Sequence, residues 1–168
     1  MQISKLRLEN YGVFTDADIT LATKDGNENG SNITVFIGNN GSGKTSILDA
    51  IATGLSWFVA KLEDKNAQGK SIDKSKINIS ALECTISFEK KELGKNSGER
   101  YPLNEISLKL SKVRKHAESN LMSSYITDNI KSFTSSYREI LTKNTEQEIN
   151  LPITAYYGAT RHTYTSKT

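Results

Sequence analysis

The chain has 168 residues, of which 36% are apolar, and its 22 basic and 19 acidic side chains give a net charge of +3. This length allows one domain with its own core, and so mild a charge does not by itself indicate a nucleic-acid or membrane surface. The single cysteine, Cys84, excludes an intramolecular disulfide framework; it alternates with apolar residues and is expected in the core. Since the chain has neither a signal core nor a long apolar run, we expect a cytoplasmic protein with no membrane partner.

Three predicted strands lie in the first quarter of the chain. Residues 5–9 and 17–21 alternate between apolar and polar side chains, which predicts two half-buried antiparallel strands. Residues 22–32 form a polar loop rich in Gly and Asn. Residues 33–37 (ITVFI) do not alternate, and this continuous run predicts a strand buried on both faces in the centre of an α/β sheet.

A helix is predicted after a glycine-rich loop, from about residue 44 to residue 62. Its apolar residues recur at spacings of three and four, which is typical of one buried stripe. The predicted stripe contains Ile47, Leu48, Ile51, Ala52, Leu55, Phe58, Val59 and Leu62. The polar residues 63–76 that follow are expected to form a surface linker or an insertion.

The second half of the chain alternates in type again. Residues 82–90 and 105–111 are predicted strands, separated by a polar loop at 90–102. Residues 114–143 have an apolar stripe without a sustained heptad, which predicts a helix rather than a coiled coil, and residues 151–158 predict a last strand. Lysine-rich clusters at 70–76 and 109–115 are expected to be solvated faces, with a DNA-backbone contact as the alternative.

Residues 38–45 (GNNGSGKT) fit the phosphate-binding pattern G-x-x-x-x-G-K-[ST] between a predicted strand and a predicted helix. Glycines let the main chain approach phosphate oxygens, and the loop amides and helix N-terminus then face the same anion. We expect Lys44 to stabilise phosphate charge and Thr45 to bind Mg²⁺. The predicted nucleotide-binding residues are Gly38, Asn39, Asn40, Gly41, Ser42, Gly43, Lys44, Thr45 and Ser46.

Residues 1–60 resemble the N-terminal segment of ABC-type ATPases of the SMC/RecF/OLD group. The matching positions are Asn10 and Tyr11, Gly38, residues 40–45, and residues 48–51. Residues 151–162 (LPITAYYGATRH) resemble a strand of the bacterial antiviral subset, the Septu and retron-associated ATPases.

The resemblance implies an α/β P-loop NTPase fold. The chain would be the N-terminal lobe of an ABC/SMC-like head, with a parallel core strand flanked by antiparallel strands and helices. Residues 1–168 are expected to form a single ATP-binding domain, the first half of such a head. The resemblance further implies ATP and Mg²⁺ as cofactors, a second ATPase head as partner, and a nuclease or other effector and DNA as further partners.

The sequence departs from this family pattern at four places. No apolar strand ends in Asp-Glu, so the residue that activates water has no candidate. Ser97 does not open a helix as a signature serine must, and Gln147 precedes rather than follows a predicted strand. Gly12 stands where some relatives have an arginine that contacts nucleotide.

Two functions from different classes remain open. The first is an ATPase in DNA metabolism or antiphage defence; the alternative is an assembly module that uses ATP as a structural ligand for a partner effector and does not hydrolyse it. A small P-loop kinase or GTPase is disfavoured, because no N-K-x-D base-recognition motif is present.

Overall fold

The computed structural model describes residues 2–23, 33–91, 107–113, 123–126, 134–135, 138–139, 142 and 155. They include an antiparallel sheet with the strand order β2-β1-β3-β4-β5 and the helix α1. The strands are β1 (Gln2–Tyr11), β2 (Phe14–Thr20), β3 (Glu83–Lys91), β4 (Ser107–Val113) and β5 (Ser123–Ile126), and α1 is Lys44–Glu63. Within the described residues, no helix is long and apolar enough to cross a membrane.

Strands β1 and β2 form a tight hairpin. Tyr11 pairs with Phe14, so only Gly12 and Val13 form the turn, which is shorter than the connection expected from the sequence. Leu8 and its inward neighbours on β1 are fully buried, and the charged residues between them face outward. The alternation predicted for this hairpin is therefore confirmed.

The centre of the sheet supplies most of the hydrophobic core. Cys84 is fully buried, as predicted, because it lies on the inward face of β3. Leu82, which the same alternation placed inward, precedes β3 and is 58% exposed. The buried residues of β3 and β4 are Cys84, Ile86, Phe88, Leu108 and Leu110.

Helix α1 packs on this sheet through a face that is rotated from the predicted stripe. Trp57 is 2% exposed and Ala50 is fully buried, although neither was expected to face the core. Leu48 and Val59, which were expected to do so, are 44% and 46% exposed. The periodicity was ambiguous because α1 carries apolar side chains on more than one face.

Residues 64–80 form a strap that packs on the core, although most side chains of residues 63–76 are exposed as predicted. Ile72 and Ile77 of the strap are buried in the core, and its residues Lys74–Lys76 form a 3₁₀ turn. The indole nitrogen of Trp57 donates a hydrogen bond of 2.9 Å to the carbonyl of Lys70. The strap is thus tied to the buried face of α1.

A buried lysine ties the strap to the sheet as well. Lys112 of β4 is 8% exposed, and its ammonium donates a hydrogen bond to the carbonyl of Ile72. This contact brings the described part of the 109–115 lysine cluster beside the 70–76 cluster. Lys112 itself has a structural partner, so it does not belong to a solvated face.

The predicted parallel core strand at 33–37 is not confirmed. These residues have no strand assignment, and Ile33, Val35 and Ile37 are 72%, 71% and 93% exposed. Phe36 alone of the run packs against the core. The segment is anchored through a side chain, since the amide of Ala22 donates to the hydroxyl of Thr34 at 2.8 Å.

The helix predicted over 114–143 is wrong at its beginning, because Ser123–Ile126 form β5. These residues pair with β4 in register, with Leu110 opposite Tyr125. Serine and tyrosine are weak helix formers, and pairing satisfies the backbone groups along the edge of β4. Described residues farther along, at 134–135, 138–139 and 142, are helical as predicted. Of the strand predicted at 151–158, only residue 155 is described.

Candidate functional site

The glycine-rich loop at 38–43 leads directly into α1. Gly43 is the N-cap of the helix and has φ 94°, in the left-handed region that disfavours residues with a Cβ. No side chain caps this end of α1, and no acidic residue lies in the first turn. Among the residues that the structure describes, neither a capping side chain nor a first-turn carboxylate therefore offsets the positive end of the helix dipole.

The hairpin turn packs against the same loop. A Cβ at Gly43 would lie 2.6 Å from Phe14 Cζ and 2.7 Å from Val13 Cγ2, which leaves no room for a side chain. At Gly41, by contrast, a Cβ would meet nothing within 4 Å. The loop is closed on the side of the hairpin and open on the side of Gly41.

The ammonium of Lys44 lies inside the loop. It donates hydrogen bonds of 2.7 Å to each of the carbonyls of Gly38 and Asn39, and it lies 3.4 Å from Ser42 Oγ. These contacts hold a full positive charge beside the start of α1. They also connect the two ends of the loop, because Lys44 donates to the carbonyl of Gly38, the first residue of the motif.

The backbone amides at the start of α1 complete the site. The amide of Ile47 donates the first hydrogen bond of the helix, 3.0 Å long, to the Gly43 carbonyl. The amides of residues 44–46 therefore have no acceptor within the helix. Within the loop, the amide of Ser42 donates a hydrogen bond of 3.2 Å to the carbonyl of Asn39. Amides, dipole and ammonium together favour an anion at this position.

The residues present suit a Mg²⁺ ion that is held largely by a bound phosphate. Among the described residues, no group of three His, Cys, Asp or Glu side chains could hold a metal. Thr45 is exposed in the first turn of α1, where its hydroxyl can supply one oxygen ligand. Mg²⁺ in proteins commonly takes few protein ligands, several waters and phosphate oxygens.

In the described part of the chain, the ionisable groups with shifted pKa values lie outside this loop. The pKa of Arg7 is raised by Asp16 and then by Glu9, its neighbours on the outer face of the hairpin. The pKa of Asp73 is lowered chiefly because its carboxylate accepts the backbone amide of Ser75. Both shifts report local hydrogen bonding and ion pairing in the scaffold.

Residues 38–46, the predicted nucleotide-binding residues, form the loop before α1 and the first residues of the helix, and their roles in binding stay predictions. Ser97 and Gln147, which the sequence did not support as signature and Q-loop residues, lie outside the described residues. The sequence analysis missed Val13 and Phe14 as neighbours of the loop, since their packing on Gly43 depends on the hairpin. The Asn10–Tyr11 pair was the signal, because it immediately precedes this turn.

Comparisons with known proteins indicate the family of this chain. A family model described as an AAA domain matches residues 5–166. The chain is 32% identical over 77 residues to a protein of Escherichia coli described as "Retron Ec83 probable ATPase", covering 46% of this chain and 13% of that protein. It is 47% identical over 60 residues to the DNA double-strand break repair Rad50 ATPase of Thermococcus kodakarensis, covering 36% of this chain and 6% of that protein.

These matches span small parts of much longer relatives, whereas the AAA domain model spans nearly the whole chain. The assignment to a family rests on the AAA domain model, and the two relatives narrow that assignment to one group of ATPases within the family. The chain belongs to the AAA domain family and, within it, to the SMC/Rad50-like group of ABC-type ATPases.

Proposed function

We propose that residues 38–46 bind the phosphate tail of ATP together with Mg²⁺, as the nucleotide-binding part of an SMC/Rad50-like ABC ATPase. The observation that carries this proposal is the Lys44 ammonium, held 2.7 Å from two loop carbonyls at an uncapped helix N-terminus. A polyanion is the ligand class that best matches such a site.

Each part of the loop has a distinct role in this proposal. Lys44 would move part of its hydrogen bonding from the Gly38 and Asn39 carbonyls to phosphate oxygens and would stabilise negative charge on the transferred phosphoryl group. The amides of residues 40–46 would orient the phosphates. Thr45 would hold Mg²⁺, which when bound neutralises phosphate charge. The residue that activates water is not assigned.

Isothermal titration calorimetry with Mg-ATP tests the role of Lys44. Lys44→Ala is expected to weaken binding by about 10- to 100-fold, the value of a lost charged hydrogen bond. Lys65→Ala is the matched control, because Lys65 is an exposed lysine just beyond α1 and its removal changes net charge equally. Equal affinity of Lys44→Ala and the unaltered chain would refute the proposal.

The role of Thr45 is tested by its dependence on magnesium. Thr45→Val keeps a β-branched side chain but removes the hydroxyl, so it should abolish most of the affinity gain that Mg²⁺ gives to ATP. Binding of ATP without metal should change little. A variant that loses affinity equally with and without Mg²⁺ would contradict a ligand role for Thr45.

We further propose that the chain acts with a second ATPase head. The name of one relative, a DNA double-strand break repair ATPase, favours a role in DNA repair. The resemblance of residues 151–162 to retron-associated antiviral ATPases favours antiphage defence as the other role, with DNA and a nuclease or other effector as proposed partners. Light scattering with and without Mg-ATP tests assembly: a dimeric mass with Mg-ATP supports it, and a mass that stays monomeric with Mg-ATP contradicts it.

A further inference from the structure

Lys76 contacts two elements that border the glycine-rich loop. Its ammonium lies 2.8 Å from the Asp49 carboxylate, on the second turn of α1, and both side chains are 29% exposed. Its carbonyl accepts a hydrogen bond from the amide of Gly12, in the turn of the β1–β2 hairpin. One residue of the strap therefore joins the helix to the turn.

The turn that Lys76 contacts forms one wall of the loop. A Cβ at Gly12 would lie 2.9 Å from Ser46 Oγ, and a Cβ at Gly43 would lie at least as close to Val13 and Phe14. A small displacement of this turn would therefore change the space beside residues 43–46. Such a change would directly affect phosphates bound there, because residues 43–46 supply the backbone amides at the start of the helix.

The strap holds Lys76 in place from both sides. On the N-terminal side of Lys76, the amide of Ser75 donates a hydrogen bond of 2.9 Å to the Asp73 carboxylate, which caps the 3₁₀ turn. After it, Ile77 is buried, and the amide of Asn78 donates 2.8 Å to the Asn10 carbonyl. Lys76 thus extends from an anchored backbone, so its ion pair fixes α1 relative to the hairpin.

We propose that Lys76 is a positioning residue for nucleotide binding: paired with Asp49, it holds the Gly12–Val13 turn against the first turn of α1. Lys76 acts through the turn and the helix, without touching the nucleotide. The expected effect of Lys76 on nucleotide affinity rests on the proposed function. The expected effect of Lys76 on the position of the turn does not.

Two measurements on the 168-residue chain test this inference. Lys76→Met and Asp49→Asn should each weaken Mg-ATP binding by about two- to fivefold, the upper range of a partly exposed ion pair. Lys76→Arg, which can still pair with Asp49, should bind within about twofold of the unaltered chain. Amide hydrogen exchange at Gly12 should become faster in Lys76→Met by a similar factor.

Lys74→Met is the matched control. Lys74 lies in the same 3₁₀ turn, is exposed, and carries the same charge, so its loss should change neither affinity nor exchange at Gly12. If Lys74→Met weakens binding as much as Lys76→Met, or if Asp49→Asn binds more tightly than the unaltered chain, long-range charge explains the effect and positioning is refuted.

The exchange measurement separates this inference from the proposed function. If the unaltered chain binds no nucleotide, the proposed function fails, and Gly12 exchange alone decides whether Lys76 positions the turn. Exchange at Gly12 that is unchanged in Lys76→Met overturns the inference whatever the calorimetry gives. Asp49→Asn repeats the test should Lys76→Met fail to fold, since it removes the same ion pair from the helix side.

Discussion

Gly54→Ala should destabilise the protein although alanine is the better helix former. Gly54 lies in the middle of α1, where it faces the ring of Phe88 on β3. A Cβ at this position would lie 2.0 Å from Cε2, 2.4 Å from Cζ and 2.8 Å from Cδ2 of that ring. Since carbon atoms pack best at about 3.5–4.0 Å, the ring or the helix would have to retreat by roughly 1.5 Å.

Two opposing terms set the size of the effect. Replacing glycine by alanine inside a helix is favourable by about 1 kcal/mol. Overpacking a well-filled core costs about 1–3 kcal/mol, and the upper end applies because Phe88 is only 7% exposed and has little room to move. We therefore expect a net loss of about 2 kcal/mol in the free energy of unfolding.

Urea unfolding measures this loss, with the fluorescence of Trp57 as the signal. Trp57 is the only tryptophan in the chain and is 2% exposed, so its emission reports directly on the seam between α1 and the strap. Phe88→Leu supplies the matched background, because leucine lacks the ring atoms nearest to the new methyl group. In that background Gly54→Ala should be neutral or stabilising by up to about 1 kcal/mol.

The cycle refutes the packing argument in either of two ways. The first is a Gly54→Ala variant at least as stable as the unaltered chain, which would mean that helix propensity exceeds the steric cost. The second is an equal loss with phenylalanine and with leucine at residue 88, which would place the strain elsewhere. A coupling of about 2 kcal/mol between the two substitutions would support the argument.

Two further predictions concern the strap. Lys112→Met should lower the free energy of unfolding by about 1 kcal/mol, measured by urea titration, because the Ile72 carbonyl loses its buried donor; an unchanged midpoint would contradict this. Asp73 has a lowered pKa, so its contribution to stability is present above its usual pKa of 3.8 and is lost as pH falls through the lower folded value. The melting temperatures of Asp73→Asn and the unaltered chain should therefore differ near neutral pH and converge in strong acid, and a pH-independent difference would count against this assignment.

The glycine-rich loop could be predicted from sequence because its contacts are local. Lys44 reaches acceptors at Gly38 and Asn39, only six and five residues away, so the spacing of the motif already contains the geometry. The alternation in β1 and β3 predicted their buried faces for the same reason, since a strand presents every second residue to one side. Patterns of this kind depend on neighbouring residues alone.

The strap could not be predicted, because its partners are distant in sequence. Lys112 donates to a carbonyl 40 residues away, and Trp57 donates to one 13 residues away. In both hydrogen bonds the acceptor is a backbone carbonyl, which any residue possesses. Polar composition at 63–76 therefore predicted solvent exposure correctly for most side chains, yet it gave no sign of Ile72 and Ile77 as anchors.

The exposed run at 33–37 shows what a hydrophobic pattern can and cannot establish. Such a run indicates that both faces prefer burial, but it does not identify the residues that provide it. In the described part of the chain, the core covers only Phe36, and the outward side chains of Ile33, Val35 and Ile37 remain exposed. The local sequence of residues 33–37 therefore encodes a preference for burial on both faces. A buried strand also needs neighbouring strands, and the described residues do not supply them. For that reason the parallel core strand could not be predicted reliably from the motif alone.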